Sequence, residues 1–153
     1  MRYLLFVSIL ILLVGCGPEI LYEQSHEVGE EWTYDETMDF DVDIKDTAQL
    51  YNLEFILDHK VGFAYQNIYV NITTTYPGGK KIADEVSLQL ANKRGEFVGK
   101  CGGEECSITI VLQEKFKFQK LGKHTISIAQ HSRKSVLDGI SKGVLKLIKY
   151  KSA

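Results

Sequence analysis

The sequence predicts an all-β fold: a single-domain antiparallel β-sandwich of about eight strands, lipid-tethered at its N-terminus. Two observations carry the sandwich. Apolar residues recur at every second position in run after run, and Gly-, Pro- and Asn-containing turns separate the runs at roughly 8–12-residue spacing. A third observation, at the N-terminus, carries the tether.

Arg2 precedes an apolar run from Tyr3 to Val14, and the small residue Gly15 stands before Cys16. A charged start, a short apolar segment and a small-residue cleavage point make a secretory signal. The run falls short of the ~20 residues that a membrane-spanning helix needs. Leu13-Val14-Gly15-Cys16 looks like a bacterial lipobox, in which cleavage leaves the cysteine acylated. Residues 1–15 are therefore expected to be a lipoprotein signal peptide. Residues 16–27 follow as an acylated cysteine and flexible tether, with a short edge strand possible around Ile20-Leu21-Tyr22, and 28–153 as the β-sandwich domain. Such a mature chain suffices for one cored domain but not for two.

Within the body, Met38, Phe40, Val42 and Ile44 alternate with Asp39, Asp41 and Asp43, which makes a strand with one dry and one wet face. Leu53, Phe55 and Leu57 repeat the pattern. Ile68, Val70, Ile72, Thr74 and Tyr76 continue it to the turn Pro77-Gly78-Gly79-Lys80, and Ile82, Val86, Leu88 and Leu90 return from that turn. Asn92-Lys93-Arg94-Gly95 turns the chain again. Ser107–Leu112 with Phe116-Lys117-Phe118, then Thr125–Gln130, then Gly143–Tyr150 supply the remaining strands. Only Ser132–Lys142 reads as locally helical, for a turn or two before Gly139.

The net charge of −2 argues against a nucleic-acid partner. The charges are segregated. Thirteen acidic residues face only Lys45 between Glu19 and Asp58, and ten basic residues face only Asp138 between Lys115 and Lys151. Either two oppositely charged surfaces serve partners or headgroups, or the terminal strands lie side by side and neutralise each other across the sheet. The simpler, second reading is preferred.

With Cys16 acylated, Cys101 and Cys106 remain as an even pair in an oxidising compartment, and the two glycines between them let the chain fold back. A disulfide is the first choice, because no further soft ligands lie nearby for a metal. Gly139-Ile140-Ser141-Lys142-Gly143 matches a nucleophile-elbow pattern but lacks the strand-to-helix setting that activates such a serine. Asp39-Phe40-Asp41-Val42-Asp43 resembles the start of a calcium loop, yet Ile44 and Leu50 stand where that loop needs Gly and Glu. His26, His59, His124 and His131 are scattered. No catalytic residue, metal or cofactor is expected. Trp32, Tyr65, Tyr69 and Tyr76 could form an aromatic binding platform, although packing is the commoner fate of such residues.

The ordered set Asp43-Ile44-Lys45-Asp46, Tyr51-Asn52-Leu53, Tyr65-Gln66-Asn67-Ile68, Pro77-Gly78-Gly79-Lys80 and Gly95-Glu96-Phe97-Val98-Gly99 is distinctive when taken together. With Gly122–Ile128 and Leu137-Asp138-Gly139-Ile140, it resembles the gliding-motility lipoprotein GldH family of Bacteroidetes. The family usually has Trp at Phe97 and an aromatic at His124, and the Cys101–Cys106 loop is unusual for it. The resemblance implies an anchored cell-envelope component of the gliding and type IX secretion apparatus; an outer-membrane lipoprotein is expected, facing the periplasm in preference to the cell surface. Its partners would be the membrane, through Cys16, and other envelope proteins; the family has no catalytic residues to carry over. A glycan-binding lipoprotein using the aromatic face is the alternative.

Overall fold

The computed structural model describes residues 17–152. Eleven strands follow in order: β1 Ile20–Glu27, β2 Glu31–Thr33, β3 Thr37–Ile44, β4 Tyr51–Lys60, β5 Asn67–Thr75, β6 Lys81–Gln89, β7 Lys100–Gly102, β8 Glu105–Phe116, β9 Gly122–Gln130, β10 Val136–Asp138 and β11 Ile140–Lys149. Eight are long, matching the expected number, and β2, β7 and β10 have three residues each.

The long strands form two antiparallel sheets, β1-β11-β4-β8-β7 and β3-β9-β5-β6, and β10-β2 makes a small third. Alternation builds the core. Met38, Phe40, Val42 and Ile44 of β3 point inward against Phe55 and Leu57 of β4 and Leu145 of β11, all essentially sealed from water. Phe40 meets Phe55 across the sheets edge-on, with ring centroids 6.4 Å apart. Burying each such large side chain contributes about 1.5–3 kcal/mol.

Two expectations are corrected. Residues 20–27 are not tether: β1 is an eight-residue edge strand registered on β11 from Ile20↔Ile148 to Glu27↔Lys142. The strand was hidden because its side chains are exposed or half-exposed on both faces, so it carries no alternating apolar signal. Ser132–Lys142 is not helical. Leu137 pairs with Trp32 in β10-β2, and Gly139 takes a left-handed φ of 94° that turns the chain into β11.

The acidic N-terminal and basic C-terminal strands do lie together. Glu23 meets Lys146 at 3.5 Å, Glu19 meets Lys149 and Lys151, and Asp58 of β4 meets Lys142 at 2.8 Å.

Candidate functional site

The outward face of the β3-β9-β5-β6 sheet is built from the residues alternating with its core row. Read across the strands, Asp39, Ser127, Thr73 and Ala83 form one row, and Asp41, Thr125, Thr75 and Lys81 the next. Short side chains make this face flat and polar. Asp41 accepts hydrogen bonds from Lys123 and from the Thr125 hydroxyl, both at 2.7 Å. Those bonds, the Lys123 one first, hold its carboxyl below the ordinary range. The sheet ends at β6, which pairs only with β5 among the described residues and leaves nine residues of strand edge open.

The aromatic candidates do not converge. Trp32 is wholly buried, its indole N–H donating to the Glu36 carbonyl at 2.8 Å. Tyr76 sits half-buried at the far end of β5, edge-on to His124. Tyr65 and Tyr69 are exposed and border a cleft of about 240 Å³ with Asn67, Ser132, Arg133 and Lys134. Sequence reasoning missed the loop that completes this cleft. Buried Gln130 donates to the carbonyls of Lys134 and Ser135, while the Ser132 amide donates back to the Gln130 side chain. The hydroxyl of exposed Tyr34 donates to the Ser132 carbonyl. A glutamine at an inward strand position was the only signal available.

Ser141 is a structural hydroxyl, donating to the Glu105 carboxylate at 2.6 Å. His59 is buried against Phe63 and Phe97, and His124 against Phe118 and Tyr76. Each holds Nδ1 near a backbone carbonyl, Lys60 and Gly122 respectively. His131 lies 3.3 Å from Glu85 on the surface, and His26 is half-buried on β1. Among the described residues no three His, Cys, Asp or Glu side chains gather as a metal site. The aspartates of β3 stand in a row on the outer face. Cys101 and Cys106 are disulfide-bonded directly across the β7–β8 hairpin. Cys16 lies outside the described residues.

Among solved structures, the chain is similar to that of an infectious bursal disease virus, strain Gx, at 12% identity and TM-score 0.40, over 86% of this chain and 32% of the other. It is also similar to TmCBM61 in complex with β-1,4-galactotriose, at 12% identity and TM-score 0.33, over 88% and 92%. Likeness at these scores carries no argument. The curated relatives say more. A gliding motility lipoprotein GldH homolog of Christiangramia forsetii is 27% identical over 137 residues, covering 89% of this chain and 84% of the relative. The gliding motility lipoprotein GldH of Flavobacterium johnsoniae is 26% identical over 125 residues, covering 82% and 77%. The GldH lipoprotein family model matches residues 20–145, from the edge strand β1 into β11. The chain belongs to the GldH lipoprotein family.

Proposed function

We propose that the protein is a non-enzymatic, protein-interaction module of the gliding-motility and type IX secretion apparatus. It is held on the periplasmic side of the outer membrane by acyl chains on Cys16. The observation that carries the interaction role is the flat polar face of the β3-β9-β5-β6 sheet running out to the open edge of β6. An unpaired edge offers main-chain hydrogen bonds to an incoming strand, while a flat face of short side chains accepts a complementary surface. Membership in the GldH family supports the motility setting, and the secretory start of the chain supports the envelope.

The test places bulk and charge on the flat face where folding tolerates it. Thr73→Arg with Ser127→Glu, an opposite-charge pair directly across β5 and β9, should leave the circular-dichroism melt close to wild type and abolish spreading or secretion in the native host. Full motility and secretion with the doubly substituted protein at normal abundance would overturn the assignment of this face.

Saccharide capture is a second reading, favoured by the Tyr65–Tyr69 cleft with Arg133 beside it. The cleft is smaller than the ~300–1,000 Å³ of typical small-molecule sites, so it would take about one sugar ring. Tyr69→Ala should then weaken retention on envelope polysaccharide; unchanged retention removes this reading.

A further inference from the structure

The strand registers bring five separated stretches of chain to one end of the sandwich. Ile20 pairs with Ile148, Lys149 with Tyr51, Tyr51 with Phe116, Ile44 with Gly122, and Thr75 with both Thr125 and Lys81. The start of β1 therefore shares an end with the β3–β4, β5–β6 and β8–β9 connections and with the C-terminal residues. Residues 17–19, 43–50, 75–81, 114–123 and 149–152 hold nine lysines against four acidic residues. The opposite end, over residues 28–36, 60–66, 90–105 and 131–139, holds eight acidic residues against six basic ones. The molecule is thus polarised along its strands, with the positive pole at the end where β1 begins.

Part of that positive charge is uncommitted. Lys45 pairs with Asp43, Lys123 with Asp41, and Lys149 and Lys151 with Glu19. Lys80, Lys81, Lys115, Lys117 and Lys120 make no ion pair among the described residues, and all five are exposed. Lys115 lies over the Tyr150 ring, 5.1 Å from its centroid. Leu121 projects between Lys120 and Lys123 with 58% of its surface in water, and Leu21 of β1 is 48% exposed. Lysines around an exposed leucine suit the boundary of a bilayer, where the cations meet headgroups and the alkyl groups enter the interface.

The corrected length of the tether gives this end its occupant. Only Gly17, Pro18 and Glu19 separate Cys16 from β1. Three residues span at most about 10 Å, close to the ~10 Å Debye length at moderate salt. We propose that the lysine-lined end of the sandwich rests on an anionic phospholipid surface, so that the strands stand away from the membrane and the acidic end points outward. The inference rests on acylation of Cys16, since without an anchor nothing holds that end within screening distance. Each lysine close to an anionic surface strengthens partitioning by a factor of about five, so the five uncommitted lysines suffice to fix orientation on a protein already anchored.

The test uses the full mature protein purified from its own membranes and reconstituted in phosphatidylcholine vesicles, with or without phosphatidylglycerol. Lysines are acetylated by a water-soluble reagent and read one by one by mass spectrometry. With phosphatidylglycerol, Lys80, Lys117 and Lys120 should lose reactivity several-fold relative to Lys93 and Lys100 at the opposite end, and neutral vesicles or high salt should restore it. Lys117→Glu with Lys120→Glu should abolish the protection of Lys80 while acylation stays intact. Equal reactivity at both ends of an acylated protein would overturn the orientation and leave the anchor standing. An intact mass without acyl chains on Cys16 would overturn the anchor itself.

Discussion

Cys106 is sealed in the protein while its partner Cys101 lies on the surface, so reduction would leave one thiol in the core and one in water. The loop they close is short, and the chain-entropy estimate gives about 2 kcal/mol of stabilisation. Replacing Cys101 by serine and the buried Cys106 by alanine should therefore lower unfolding stability by about that amount. Protein from the envelope should weigh two hydrogens less before reduction than after; two freely alkylated thiols would refute the bond. At Lys142 the partner is the nearly buried Asp58, whose hydrogen bond and negative charge raise the ammonium pKa above its ordinary 10.5. A raised folded-state value means that this contribution is complete below pH 10.5 and is lost as pH climbs through the folded value. Asp41 is displaced the other way, and its contribution, complete above 3.8, disappears as acid protonates it. Lys142→Met should cost more than the ~1 kcal/mol of an exposed ion pair at neutral pH, because it leaves the carboxylate of nearly buried Asp58 without its cation. It should also blunt the alkaline fall in melting temperature. An alkaline limb identical to wild type would remove the ion pair from the account.

β11 lies between β1 and β4, and its contact with the facing sheet depends on a missing side chain. A Cβ on Gly143 would stand 2.4 Å from the Met38 sulfur and 2.8 Å from the Phe55 ring. Gly143→Ala should therefore overpack the core and cost about 1–3 kcal/mol, read as a lower urea midpoint; an unchanged midpoint would mean the two sheets separate more easily than their packing implies. Strands with one wet and one dry face were legible in the sequence: β3 from its Asp/apolar alternation, β4 and the start of β5 from theirs. β1 was not, because an edge strand outside the core row has no face to mark as dry. Ser132–Lys142 read as locally helical, but pairing of β10 with β2 outweighed that local preference. Tyr69 and Tyr76 are seven residues apart on a strand, a separation that already places them on opposite faces. The buried position of Trp32 depended on β10, which the sequence did not reveal.

For the whole molecule, the proposed anchor on Cys16 would decide whether any surface is presented to a partner at all. Acyl chains contribute ~0.8 kcal/mol per buried CH₂, and one chain alone binds only marginally, so lasting attachment requires more than one on Cys16. Cys16→Ser should block processing or release the domain from carbonate-washed membranes; processing and retention as in wild type would eliminate the lipobox. The charged surfaces, by contrast, could not be drawn from the sequence alone, because the opposing rows on β1 and β11 cancel and the residual lysines gather only when the registers are known. The pairing of β1 with β11 also has a mechanical meaning. Were Cys16 held in the membrane as proposed, and a partner to pull on the far sheet, tension would enter the domain along the axis of β1. The hydrogen bonds to β11 run perpendicular to that axis, so the seven registered pairs from Ile20 to Glu27 are loaded in parallel and must slide together. A strand peeled from its neighbour would instead give way one bond at a time. The first strand would then act as a shear clamp, resisting unravelling under such a load.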